Sequence, residues 1–179
     1  MIYLRATKIE RVWQHAGIDW NVALPGPGPS ALAVWDVATV VRDVSTAIAD
    51  SKFFKSIDDE CDDPGKKSSL LNMLNQLRYA IRFDDYQGFL KGSNVQVKEA
   101  GKFEYRKKTH KIWELKFQNK DRVYFFSHHI SADRKALILM LFHHKKDQTT
   151  PKHILGYCEK LMKPFLDPDP EISLLKEIP

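Results

Sequence analysis

Long apolar runs are missing from this chain of 179 residues. None approaches the ~20 residues that cross a bilayer, so no membrane partner is expected. Cysteine is scarce. Cys61 and Cys158 are the only two, far apart and in no metal-type spacing, so the simpler reading is a reduced, cytoplasmic protein, with a single bridge between them as the alternative. Glycine and proline number 8 and 9, which excludes fibrous and low-complexity classes. The first residues, MIYLRATKIERVW, carry no signal-peptide core. There is no Gly-rich phosphate loop, no nucleophile elbow, no HExxH metal motif and no internal repeat.

Charge is present and unevenly spread. Between Lys91 and Lys163 stand seventeen Lys or Arg against seven Asp or Glu, a net of +10, while the rest of the chain is −5. A basic half suggests a polyanionic partner; the alternative is a merely solvated basic face.

The stretch from Lys111 to Pro151 carries the clearest pattern. Trp113 to Phe117 alternates apolar and charged residues, as a strand with one buried face does. Gln118 to Asp121 supplies turn chemistry. Arg122 to Phe126 is aromatic and β-branched, as strands prefer. Ala136 to Phe142 is continuously apolar, which suits a buried strand, and it ends in His143-His144-Lys145-Lys146.

Elsewhere the expectations are coarser. Met1 to Trp20 reads as a short strand followed by a helix or extended arm. Leu24 to Ser30 alternates Pro and Gly and reads as a surface loop. Val37, Val40, Val41, Val44 and Ile48 recur at helical spacing, so a helix is expected over 31–54. The acid run Asp58 to Asp63 reads as a solvated loop. A divalent-cation site, though without the spaced ligands of a calcium loop, and a shield for the basic half in cis are the alternatives. A second helix begins at a Ser68 or Ser69 N-cap, with Leu70, Leu71, Leu74, Leu77 and Ile81 as its stripe. Val95 to Lys98 and Phe103 to Lys108 are two short strands. Pro151 opens a last helix, and the tail from Asp167 is exposed and mobile. The expected fold is α+β: an N-terminal helical hairpin packed on an antiparallel sheet of about four to five strands, with a C-terminal helix. The expected divisions are an N-terminal extension over 1–66, a main domain over 67–166 and a tail over 167–179.

WELKF at 113–117, RVYFF at 122–126, the apolar strand, and the Lys145-Lys146-x-x-x-Thr150-Pro151 turn resemble the RelE/ParE toxin superfamily, in particular its phage-derived HigB-like branch. The resemblance covers about residues 70–165. It implies a RelE-like fold and the toxin of a type II toxin–antitoxin pair. That toxin would cleave mRNA without a metal or other cofactor, near the ribosome, and be held by a small helix-turn-helix antitoxin. The ParE branch implies inhibition of DNA gyrase instead, and a non-catalytic nucleic-acid- or protein-binding module is a further alternative. Lys116, Arg122, Lys146 and His144 are the candidate catalytic residues, of which Arg122 and Lys146 match the family's strand-borne arginine and basic turn, and Lys107, Lys108, Lys111 and Lys145 are the candidate RNA contacts. Imidazole suits proton transfer near neutral pH, which makes either His143 or His144 a candidate. Glu114 stands where several ribonuclease members keep a lysine. Tyr157 is a loose candidate for their C-terminal tyrosine.

Overall fold

The computed structural model describes residues 1–118 and 120–177. Its centre is one seven-stranded mixed sheet, in the order β3-β4-β5-β6-β2-β1-β7. The strands are β1 (Ile2–Ala6), β2 (Asp36–Val41), β3 (Gln96–Tyr105), β4 (Lys108–Phe117), β5 (Asp121–His129), β6 (Lys135–His144) and β7 (Ile172–Leu175). The helices are α1 (Ile9–His15), α2 (Trp20–Ala23), α3 (Lys52–Glu60), α4 (Pro64–Ala80), α5 (Tyr86–Lys91) and α6 (Lys152–Met162). Among the described residues no helix is long and apolar enough to cross a membrane.

This corrects the expected fold. A sheet of four to five antiparallel strands was expected. Instead β3 to β6 form an antiparallel meander, β2 adds to β6 in parallel, β1 is antiparallel to β2, and β7 is parallel to β1. The strand order is not the RelE-like one. Nor do residues 31–54 form the first helix of an N-terminal hairpin. Residues 36–41, expected in a helix, form β2 between two neighbours. A strand buried on both faces is apolar at nearly every position, and a continuous run satisfies three- and four-residue spacing by default. Val37 joins one core and Ala38 the other. The tail also differs. Ile172 to Leu175 pairs along β1, in register from Ile2↔Ile172 to Arg5↔Leu175, and is half-buried. Ile178 and Pro179 lie outside the described residues. Residues 1–66 therefore supply two strands of the sheet, and the tail supplies a third.

Two apolar layers sandwich the sheet. On one face α1, α3, α4 and α5 bury Trp13, Phe53, Phe54, Leu70, Leu74 and Leu77 against Leu115, Val123, Phe125 and Leu137. On the other, α6 lays Ile154, Cys158 and Met162 on Tyr124, Phe126, Ile138 and Met140. α4 begins earlier than Ser68: Pro64 occupies its first turn, and the Asp63 carboxylate accepts from Lys66 N at 2.8 Å. The two short strands expected around residue 100 are one strand, β3, with a bulge between Glu99 and Gly101. Gly101 lets β3 pass close over α6. A Cβ there would stand 2.9 Å from the Leu155 side chain. Gly101→Ala should therefore displace the Leu155 δ-methyls at a cost of about 1 kcal/mol or less, readable as a slightly lower urea midpoint at unchanged slope.

Helix α3 closes an open edge. The β2–β6 register covers Asp36–Ala38 against Ala136–Ile138, and β6 continues beyond it. There Phe142 N donates to Ser56 Oγ at 2.9 Å, and Ser56 Oγ donates to Phe53 O at 2.5 Å. One hydroxyl thus joins the strand to the helix. Ser56→Ala should cost about 1–3 kcal/mol, because it leaves a buried backbone N–H unpaired; hydrogen exchange at Phe142 is the direct measure.

Candidate functional site

Residues directly opposite one another in a sheet share a face. Gln96 pairs with Lys116, Lys116 with Arg122, and Arg122 with His143. These four form a polar row across β3, β4, β5 and β6. One step further along, Lys98, Glu114 and Tyr124 form a second row on the same face. Lys98, Glu114, Lys116 and Arg122 of these rows, with the turns after β4 and β6, line a cleft of about 730 Å³, while His143 lines a separate groove between α3 and α6. The turns contribute Lys120, Lys145 and Lys146 to the cleft.

The cleft has a buried ionic floor. Glu114 is 5% exposed, Arg122 4% and Lys145 6%. Glu114 Oε1 lies 3.3 Å from Arg122 Nε, and Glu114 Oε2 lies 3.7 Å from Lys145 Nζ. Lys145 Nζ also donates to Gln148 O at 3.3 Å, which ties the basic turn to the floor. Lys145 N donates to Lys120 O at 2.8 Å, holding the two turns together. The triad nets one positive charge. Burial and the charges of Lys98 and Arg122 together push the Lys116 ammonium pKa down. Burial raises the Tyr124 hydroxyl, with the Glu114 charge adding to it.

The structure brings Lys116, Arg122, Lys145 and Lys146 into one cleft, with Lys146 exposed at the rim. It sends His144 elsewhere. His144 stands opposite Asp121, on the other face of the sheet, with its Nδ1 2.7 Å from Asp121 Oδ1. The imidazole in the Lys116–Arg122 row is that of His143. Glu60 of α3 holds its Nδ1 at 2.7 and 3.0 Å. Lys107, Lys108 and Lys111 are not in the cleft; they stand exposed on the β3–β4 hairpin. Tyr157 lines a separate groove between α3 and α6, where burial pushes its hydroxyl up to about 12. Lys98, Lys120 and the Glu60–His143 pair were not singled out in sequence. Lys98 was legible as the polar member of an alternating strand, whereas Glu60 lies 83 positions from its partner.

The acid run has local uses. Asp58 pairs with His15 at 2.9 Å, Lys66 with Asp62 at 2.8 Å, and Asp63 caps α4. Asp58 to Glu60 belong to α3 rather than to a loop. Among the described residues no group of three or more His, Cys, Asp or Glu is placed to hold a metal ion.

No family model matches the chain, and no curated protein or solved structure matches it either.

Proposed function

We propose that the chain is an RNA endonuclease that requires no metal, the toxin of a type II toxin–antitoxin pair. It would act on mRNA, at or near the ribosome, in the cytoplasm. A small helix-turn-helix antitoxin would hold it in check. The observation that carries this reading is the cationic cleft, where a lysine of lowered pKa stands beside a buried arginine. The sequence resemblance to HigB-like toxins at 113–117, 122–126 and 145–151 supports it independently.

The chemistry follows from the groups in the cleft. A neutral Lys116 amine takes the proton of a ribose 2′-hydroxyl, and the 2′-oxygen attacks the adjacent phosphorus. Arg122 and Lys120 face the charge that grows on the phosphorane. The bond from phosphorus to the 5′-oxygen breaks, and the Lys146 ammonium, at the open rim, gives that oxygen a proton. The products are a cyclic phosphate and a 5′-hydroxyl. Glu114 is not placed to act as the base, because its two oxygens face Arg122 and Lys145.

A second reading has its own observation. Glu114 already occupies Arg122 and Lys145, which favours a module that binds nucleic acid without cutting it. Induced expression in bacteria, followed by primer extension on cellular mRNA, separates the two. New 5′-hydroxyl ends are expected with the wild-type chain, and loss of at least about 10²-fold with Lys116→Ala. Growth arrest without new RNA ends would remove the nuclease reading. A supercoiling assay then tests the gyrase alternative.

A further inference from the structure

The β3–β4 hairpin runs past its neighbour. The β4–β5 register covers Trp113–Phe117, whereas β4 and β3 pair on to Tyr105↔Lys108. Residues 100–112 thus form a two-stranded arm. Phe103 and Ile112 anchor it to the α6 layer. Tyr105 Oη and Arg106 Nε both donate to Asp167 Oδ1, at 2.6 and 2.9 Å, which ties the tip down. The arm is a held element rather than a loose loop.

Two features of the arm work against its own stability. The turn residues are Arg106 and Lys107, with φ of 50° and 63°. Two positive φ values in a two-residue hairpin turn normally call for Asn-Gly or a similar pair. Two long cationic side chains are a costly choice there. Next, Lys102 stands directly opposite Lys111. Like charges directly opposite in a sheet repel. The arm carries Lys102, Arg106, Lys107, Lys108 and Lys111 against the single carboxylate of Glu104. Glu104 is engaged by Thr109 Oγ1. Arg106 is the only one of the five with an ion-pair partner among the described residues.

We propose that this arm is a second RNA-binding surface, which grips the phosphate backbone without reading sequence. Lys102 and Lys111 supply one face, and Lys107 and Lys108 supply the tip. A polyanion relieves the second conflict, because phosphates placed between the lysines remove their repulsion, and it gives the cations of the turn a partner. Phosphate contacts position a protein on nucleic acid and carry the salt dependence of binding. The arm presents no large exposed apolar side chain with which to enter a lipid surface. The proposal rests on the reading that the substrate is RNA, but it assigns affinity to the arm and chemistry to the cleft.

Fluorescence anisotropy with a labelled RNA hairpin and a labelled oligo-uridine, across a salt series, tests it on the full chain. The quadruple variant K102T/K107G/K108T/K111T should bind at least 10-fold more weakly, and its slope of log K against log salt should be shallower by about 3. Lys107→Gly alone should raise Tm by about 2 °C while weakening binding, because it relieves the turn and removes a contact. Lys116→Ala should lose cleavage with the slope changed by less than about 1. An unchanged slope in the quadruple variant overturns the arm and leaves the nuclease reading standing if Lys116→Ala still loses cleavage. A shallower slope in a chain that never cuts RNA upholds the arm and removes the nuclease. Binding to phosphatidylserine vesicles without RNA binding overturns both.

Discussion

Replacing Glu114 by alanine should lower the thermal midpoint by about 10 °C. The carboxylate is the only anion between two buried cations among the described residues, Arg122 and Lys145. Truncation leaves both in a place that water barely reaches, without the carboxylate between them, although Arg122 Nη1 still donates to Asp121 O and Lys145 Nζ to Gln148 O. Breaking a buried ionic group by removing one partner costs about 3–5 kcal/mol. In a domain of this size each kcal/mol moves Tm by about 2–4 °C. A control bounds the effect: Glu159 pairs with Lys163 at 2.9 Å on an exposed helix face, and Glu159→Ala should cost under about 1 kcal/mol. Differential scanning calorimetry on both variants decides the matter. Equal small shifts would mean that the floor of the cleft is solvated, and the site description would fail. In Glu114→Ala, inorganic phosphate should restore part of the lost Tm, since an anion can take the vacated place between the cations.

Lys116→Ala should lower the cleavage rate by about 10²–10³-fold while changing RNA affinity little, as loss of a proton-transfer group does. The pH dependence carries more information. An ordinary lysine loses its proton near pH 10.4, and burial, Lys98 and Arg122 move Lys116 below that. The cleavage rate therefore rises with pH and levels off above the lowered pKa. Lys98→Ala removes one positive neighbour, so the rising limb should move to higher pH. A limb that stays in place, or moves down, would exclude Lys116 as the base. The stability sign is the opposite of a salt bridge's. Below its folded pKa, the cost of keeping Lys116 charged is fully present. That cost fades as pH rises toward the unfolded value, so stability rises over that interval. Lys116→Met should accordingly be at least as stable as the parent at neutral pH, though inactive, which is the trade expected of a site strained for function.

Much of the meander was legible along the chain. Trp113 to Phe117 announced both its strand and its faces. Leu115 is in one core, and Glu114 and Lys116 point the other way, as period two requires. The basic turn at Lys145-Lys146 was also legible, but its split was not. Lys145 turns inward to Glu114 and Lys146 outward. The histidine pair makes the same point. Alternation says that His143 and His144 lie on opposite faces. Only the registers Arg122↔His143 and Asp121↔His144 say which one stands beside Lys116. Register is a relation between strands and is set by packing, not by either strand alone.

Local periods, the basic half and the turn chemistry can be read along the chain, because they depend on neighbours within a few residues. The remaining features come from segments that meet only in the fold. Val37, Val40 and Val41 are in a strand because β6 pairs along Asp36–Ala38 and β1 along Ala38–Val41. The tail is ordered because β1 pairs along Ile172–Leu175. Glu114 is a buried counter-ion rather than a surface charge because Arg122 and Lys145 arrive beside it from two other segments. Open strand edges and uncompensated charges are satisfied by whatever the fold brings near, and a chain read in one dimension does not contain that proximity.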